Sequence, residues 1–156
     1  MVIAAVCLAI DLASKYIVRS TMTLGGPGVP GDRYQVLPFL TVERASNQGV
    51  AFGLLSGRIT VIVVAACLAL LLVIVYLALE PRPIVGGVTG GMLIGGSMGN
   101  LVERLTRGQV TDFLRLPHYP TFNLADIFIV VGVVLVAASL LWVETDRTRV
   151  QRASDG

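Results

Sequence analysis

Four long apolar stretches limit the structures that this sequence can form. A helix needs about 20 apolar residues to cross the roughly 30 Å hydrocarbon layer of a bilayer, and each stretch approaches that length. Because 54% of the residues are hydrophobic and 14% are charged, a water-soluble domain of 156 residues could not bury them all. The sequence therefore predicts an all-α membrane protein built as a four-transmembrane-helix bundle. The predicted helices are approximately residues 2–18, 59–79, 84–102 and 124–143.

The first apolar stretch differs from a secretory signal peptide. It has no basic beginning, and Asp11, Ser14 and Lys15 interrupt its apolar run. We therefore interpret it as a retained membrane helix. Since no internal repeat or low-complexity tract divides the sequence, residues 1–156 are expected to form a single integral membrane domain.

Basic residues indicate how the chain is oriented in the membrane. Three arginines directly follow the fourth stretch, which is typical of a cytoplasmic end. Four spans place both termini on one side, so we expect cytoplasmic termini and outer connections at residues 20–58 and 103–123. Within the first connection, residues 34–44 mix β-branched, aromatic and polar side chains. This mixture predicts a small extracytoplasmic β-element on the membrane surface.

Glycine recurs at every fourth position of the third stretch, at Gly87, Gly91, Gly95 and Gly99. This spacing places small residues on one helix face and predicts that another helix packs closely against it. Residues 95–99 also match the G-x-S-x-G pattern of serine hydrolases. That motif requires a turn between a strand and a helix, whereas here it lies within a predicted helix, so we treat the match as coincidence.

Ionisable residues inside the predicted spans need a partner or a task, because each costs about 2.5 to 3.5 kcal/mol on insertion scales. Asp11 and Lys15 are four positions apart and therefore share a helix face. We expect a structural salt bridge between them in preference to direct chemistry. A catalytic pair of Ser97 and Lys15 is an alternative that this salt bridge disfavours.

Two further aspartates lie at the same predicted outer boundary of the membrane. Asp112 follows the third stretch, and Asp126 opens the fourth. If these helices are neighbours, the carboxylates can meet, share one proton and activate water for peptide hydrolysis. In the alternative interpretation, Asp126 only caps the fourth helix and Asp112 is a solvated loop acid.

Other polar side chains cluster by sequence near that boundary: Asn47, Asn100, Arg104 and Asn123. Amides can hold a substrate backbone, and an arginine can bind a carboxylate or a lipid phosphate. The alternative is that all four are interfacial residues or hydrogen-bond within loops. The single histidine, His118, has no second histidine or cysteine near it, so no metal site is expected.

Five segments together resemble the lipoprotein signal peptidases, also called signal peptidase II, over nearly the whole chain. They occur in the order of that family and fit its four-helix layout. The segments are Asp11-Leu12-Ala13-Ser14-Lys15, Asn47-Gln48-Gly49-Val50-Ala51-Phe52-Gly53, Gly99-Asn100-Leu101-Val102-Glu103-Arg104, Val110-Thr111-Asp112-Phe113 and Phe122-Asn123-Leu124-Ala125-Asp126.

The resemblance implies an aspartic endopeptidase with Asp112 and Asp126 as its catalytic dyad. Its substrate would be a prolipoprotein that carries diacylglycerol on a cysteine, cleaved just before that cysteine. The reaction would need no metal or organic cofactor. The residues that the resemblance assigns to support or line the site are Asp11, Lys15, Asn47, Gly49, Asn100, Arg104 and Asn123.

The resemblance also implies a location in the bacterial inner membrane, with the active site at its outer face. The expected partners are lipidated prolipoproteins and membrane lipid, without nucleic acid, and we expect a monomer. One departure is Glu103, where many members of the family have aspartate. The longer side chain is expected to keep the charge and to shift hydrogen bonding around Arg104.

Two other functions remain open on the residues alone. A small transporter coupled to ions or protons would also contain buried acids paired with a lysine. The second predicted helix, residues 59–79, carries no ionisable group, which argues against such a relay. A non-catalytic assembly partner of other membrane proteins would use the glycine face and leave the aspartates expendable.

Overall fold

The computed structural model describes residues 2–25, 30–49, 59–80 and 82–154. Residues 50–53 of the second family segment, and the rest of the first connection up to residue 58, lie outside the described residues. The described helices are α1 (Val2–Thr21), α2 (Ile59–Leu79), α3 (Pro83–Arg107) and α4 (Leu124–Ser154). The described strands are β1 (Arg33–Leu37), β2 (Leu40–Asn47) and β3 (Val110–Arg115).

The predicted helices are present, but three of them are longer than their apolar stretches. Helix α2 has the predicted bounds, whereas α1, α3 and α4 continue through charged and polar residues at their C-terminal ends. Such residues are good helix formers, so a helix need not stop where its apolar run stops. Helix α3 ends only at Gly108, whose left-handed conformation (φ 70°) lets its N–H donate to the Arg104 carbonyl oxygen.

Two of the described helices are long and apolar enough to cross a membrane, within Thr60–Leu77 of α2 and Leu124–Trp142 of α4. Their large side chains point outward; Leu72, for example, is 70% exposed. Helices α1 and α3 are less apolar because they carry the polar side chains described below. Outward apolar surfaces of this extent suit a lipid environment.

Helix α3 lies at the centre of the bundle and contacts the other three helices. A side chain at Gly95 would place its Cβ 2.6 Å from the Ala4 carbonyl oxygen and 2.7 Å from the Cys7 Cβ of α1. Gly91 and Gly99 likewise face α1, at Ile3 and Asp11. The predicted close packing is therefore confirmed for these three glycines.

Gly87 is the exception on the predicted glycine face, because a Cβ there would have nothing within 4 Å.

Gly95 and Gly87 make a matched pair for substitution. We expect Gly95→Ala to lower the free energy of unfolding by about 1 to 3 kcal/mol through overpacking. Gly87→Ala should raise it by up to about 1 kcal/mol through better helix propensity. Thermal unfolding in detergent checks both, and equal tolerance of the two changes would contradict the packing described here.

The three strands form one antiparallel sheet in the order β1-β2-β3. Strands β1 and β2 make the predicted β-element. The third strand lies within residues 103–123, a connection for which the sequence predicted no strand. Strand β3 pairs with β2, where Ala45 is opposite Asp112 and Asn47 is opposite Val110, and its Val110, Thr111 and Phe113 are residue types that favour strands.

The sheet is attached to the end of α1 by apolar and polar contacts. Val18 of α1 and Met22, just after that helix, form a buried cluster with Phe113 of β3. The Arg44 guanidinium donates to the carbonyl oxygens of Arg19 (3.1 Å) and Met22 (3.0 Å). Carbonyls at a helix C-terminus lack partners within the helix and carry partial negative charge, so a cation stabilises them. These contacts hold β3, which contains Asp112, above the helices.

Candidate active site

The first turn of α4 places Asp126 through a reciprocal pair of hydrogen bonds. The Asp126 N–H donates to Asn123 Oδ1, and the Asn123 N–H donates to Asp126 Oδ2, both at 3.1 Å. This is the capping-box arrangement, in which two side chains satisfy each other's free backbone donors. The other oxygen, Asp126 Oδ1, accepts a hydrogen bond from Asn100 Nδ2 (2.9 Å). Asp126 therefore caps the helix, as the alternative interpretation held, and also contacts α3.

Asp112 is buried and is not a solvated loop acid, so that alternative is wrong. Asp112 is 1% exposed. Each of its carboxylate oxygens accepts a hydrogen bond from a side-chain amide. Asn123 Nδ2 donates to Oδ1 (2.7 Å), and Asn47 Nδ2 donates to Oδ2 (2.8 Å). The residue Asn123 thus hydrogen-bonds to both aspartates, which brings the end of β3 and the start of α4 to one place.

Burial raises the pKa of Asp112 to about 6, which is well above the ordinary value of an aspartate. Burial is the largest cause and the neighbouring charge of Asp126 acts in the same direction, whereas the amides of Asn47 and Asn123 and the charge of Lys15 oppose the rise. Desolvation favours the neutral form of any buried carboxyl, and a like charge acts in the same direction. Asp112 can therefore gain and lose a proton near neutral pH, as an acid–base group must.

The Asp11 and Lys15 side chains form the predicted ion pair, at 2.7 Å and with both side chains 0% exposed. Lys15 Nζ also donates to Asn100 Oδ1 (2.8 Å), and the Asn100 amide donates to Asp126 as described above. Asp11 Oδ1 accepts from the N–H of Ala125 in the first turn of α4 (2.9 Å). The pair therefore connects α1 to α3 and α4. Because the Lys15 ammonium is held by Asp11 and Asn100, this geometry argues against a catalytic serine–lysine pair.

Arg104 and Gly49 lie on the same side of the site. Arg104 Nη2 donates to the Gly49 carbonyl oxygen (3.2 Å), and the Gly49 N–H donates to Asn47 Oδ1 (2.9 Å). These bonds fix the Asn47 amide with its donor group toward Asp112. The predicted polar residues are therefore linked to one another by hydrogen bonds with Gly49, Asp112 and Asp126.

Glu103 has partners near the site that were not predicted from the sequence. Its carboxylate accepts the N–H of Thr111 (2.7 Å) and pairs with Arg19. The sequence did contain a signal for the Arg19–Glu103 pair, because these opposite charges lie near the ends of two predicted helices and a buried charge needs a partner.

Acidic, cysteine and histidine side chains do not gather into a metal site in the part of the chain that the structure describes. No group of three or more such residues that could hold a metal ion occurs there. His118, the histidine considered above, lies in an exposed turn with a positive φ of 61°. The groups at the site are carboxylates, amides, a lysine and an arginine.

An apolar helical bundle with hydrogen-bonded acids at one end is compatible with a membrane-bound aspartic protease. The family is defined by comparison with known proteins. A family model described as signal peptidase (SPase) II matches residues 3–142, and the chain belongs to this family. Members are aspartic proteases that act on the signal peptides of lipoproteins, so this protein is a membrane hydrolase.

Curated relatives match along nearly their whole length. The lipoprotein signal peptidase of Moorella thermoacetica is 37% identical over 144 residues, covering 90% of this chain and 91% of the relative. That of Staphylococcus haemolyticus is 31% identical over 147 residues, covering 90% and 89%.

Solved structures agree with the fold. A bacterial membrane enzyme determined by the in meso method at 2.3 Å resolution has a TM-score of 0.81 and 29% identity, covering 93% of this chain and 88% of that one. A second, at 1.9 Å resolution, has a TM-score of 0.76 and 31% identity, covering 90% of each chain.

Proposed function

We propose that this protein removes the signal peptides of diacylglyceryl-modified prolipoproteins by cutting just before the lipidated cysteine, and that Asp112 and Asp126 activate the attacking water. The observation that supports this most is the shared partner Asn123, which hydrogen-bonds to both carboxylates. Two aspartates held beside one shared partner can act in turn as base and acid.

In the proposed reaction, the shared proton rests on Asp112, whose pKa is raised to about 6. Asp126 accepts a proton from water as the water oxygen bonds to the scissile carbonyl carbon, while Asp112 donates its proton to the carbonyl oxygen. The C–N bond then breaks as Asp126 gives its proton to the leaving amine, while one hydroxyl of the intermediate returns a proton to Asp112. The products are a carboxylic acid and an amine, and the reaction uses only protein groups and water.

The surrounding residues would position the dyad and the substrate. Asn47, Asn100 and Asn123 each donate to a dyad oxygen and so fix its direction. The buried Asp11–Lys15 pair holds Asn100 and the first turn of α4. Arg104, with the backbone of Gly49, would contact the peptide or the lipid phosphate beside the dyad.

We further propose the arrangement in the membrane. All four helices span it, residues 1–156 form one domain that acts as a monomer, both termini are cytoplasmic, and the dyad lies at the outer face of the bacterial inner membrane. A diacylglyceryl anchor keeps the scissile bond at the membrane surface, so the dyad meets it without extracting the lipid. The sheet would enclose the extended peptide above the site, by strand addition or by simple cover.

Lipid dependence tests the proposed substrate. The purified protein, incubated with a prolipoprotein with or without its diacylglyceryl group, should cleave the lipidated form at least about 100-fold faster, because the anchor concentrates it at the membrane. Mass spectrometry should locate the cut before the modified cysteine. Ser97→Ala is the control and should cleave at the wild-type rate. Equal processing of both substrates, or a cut elsewhere, would contradict the proposal.

The pH dependence tests the assignment of the proton. Since the active form needs the proton on Asp112, whose pKa is about 6, kcat/KM should fall above pH 6 by about tenfold per pH unit. The Asn47 amide stabilises the charged carboxylate, so Asn47→Ala should move this alkaline limb to higher pH. A kcat/KM that is constant between pH 5 and pH 8 would refute the assignment.

A further inference from the structure

Glu103 is a buried carboxylate near the end of α3 that does not touch either aspartate of the proposed dyad. The residue is 2% exposed. Its Oε2 accepts the N–H of Thr111 (2.7 Å), and its Oε1 accepts the Thr111 hydroxyl (3.1 Å) and pairs with Arg19. Lys15 Nζ lies 3.9 Å from Oε2. One side chain therefore joins α3 to α1 and to β3.

The contact with Thr111 matters because Thr111 directly precedes Asp112 in β3. Within this strand, Phe113 and Leu114 donate their N–H groups to the Phe122 carbonyl oxygen, so their positions are fixed by the loop before α4. At Thr111 the acceptor is the Glu103 carboxylate instead. A buried N–H without an acceptor is costly, so this bond fixes the backbone next to Asp112.

The charge of Glu103 also matches its surroundings. Arg19 and Lys15 both approach the carboxylate from α1, and Arg107 Nε lies 3.9 Å from it on α3. Lys15 already has Asp11 as a partner, whereas Arg19 has Glu103 and the Thr111 hydroxyl. A glutamine at position 103 would leave Arg19 without a carboxylate partner. It has one acceptor oxygen in place of two, so it could not accept all the hydrogen bonds that Thr111 and Arg19 donate to Glu103.

We propose that Glu103 is a positioning residue for the cleavage reaction, acting through the Thr111 N–H to hold Asp112 at its place beside Asp126. This inference rests on the proposed function of the dyad. Glu103 touches neither the reacting atoms nor the substrate, so its loss should affect kcat and leave KM nearly unchanged.

The test compares the steady-state cleavage of lipidated prolipoprotein by three variants and one control. Glu103→Gln should lower kcat on the order of 100-fold, as expected for a small misplacement of a catalytic group, with KM within about twofold. Glu103→Asp keeps the charge and should recover kcat to within about tenfold of wild type. Thr111→Val keeps the N–H and should stay within about threefold.

The matched control is Glu80→Gln, since the Glu80 carboxylate also accepts hydrogen bonds from an arginine and a hydroxyl, those of Arg82 and Tyr76, but belongs to the turn between α2 and α3. It should cleave at the wild-type rate. All rates are normalised to the folded fraction, measured by thermal unfolding and gel filtration in detergent.

Each outcome separates this inference from the proposed function. If Glu103→Gln keeps a kcat within about threefold of wild type while Asp112→Asn is inactive, the positioning role is refuted and the dyad stands. If Glu103→Asp does not recover kcat, or if Thr111→Val lowers kcat as much as Glu103→Gln does, then Glu103 does not act through its charge and the Thr111 N–H. If Asp112→Asn cleaves normally, the proposed dyad fails, and the inference about Glu103 fails with it.

Discussion

Asp112→Asn and Asp126→Asn are each expected to lower kcat for the cleavage of lipidated prolipoprotein by about 10⁴-fold, the upper range for loss of acid–base catalysis. An amide can neither carry the shared proton nor take one from water. Asparagine has nearly the shape of aspartate, so both variants should fold. Asp32→Asn is a suitable control, because Asp32 accepts the Thr23 N–H in the connection between α1 and β1 and should be dispensable.

The same substitution at position 112 removes a buried charge at neutral pH, while the asparagine Nδ2 cannot accept the amide hydrogen bond that one Asp112 oxygen accepts. The folded pKa of Asp112, about 6, is above the value of about 3.9 expected in an unfolded chain. The contribution of this group to stability is therefore complete below about pH 4 and is lost as pH rises through 6. Wild type should lose stability over this window relative to Asp112→Asn. A variant that is inactive because it is unfolded would contradict the account.

The second large effect is expected on stability, from Lys15→Met. This change leaves Asp11 without its cation in a place where both side chains are 0% exposed. Breaking a buried ion pair by removing one partner costs about 3 to 5 kcal/mol, because the remaining charge is uncompensated. Thermal or denaturant unfolding in detergent should show this loss.

Removing both charges separates the stability effect from the catalytic one. In Asp11→Asn combined with Lys15→Met, most of the lost stability should return, since no charge remains unpaired. Cleavage should stay slow, because the bond from Lys15 that directs the Asn100 amide toward Asp126 is still missing. A single Lys15→Met variant as stable as wild type would show that the pair is not needed for the fold.

Local patterns in the sequence predicted much of the helical part of this protein. Apolar runs located the four helices, and spacing by four predicted both the Asp11–Lys15 pair and the close contact at Gly95. Both features depend on one helical turn, which the sequence contains in full. The open space at Gly87 was not predictable, because it depends on where α1 ends its contact with α3.

The parts that were missed depend on contacts between distant segments. Strand β3 exists because it pairs with β2, and the residues around Asp112 do not by themselves predict that pairing. Its burial, and with it the raised pKa, follows from this tertiary contact. The same holds for Arg44, which caps α1 from the sheet, and for Glu103, whose direction is set by Arg19 and Thr111. Residue type indicated the chemistry of the site, and packing determined its geometry.

The most direct test of the central claim, that Asp112 and Asp126 work as one unit, is the cleavage rate of the double variant Asp112→Asn with Asp126→Asn. Residues that act as a unit have strongly non-additive effects. We expect the double variant to cleave within about threefold of either single variant, with each single variant about 10⁴-fold below wild type. A shared dyad would be contradicted if the rate reductions of the two single variants multiplied in the double variant. It would also be contradicted if either single variant kept the wild-type rate.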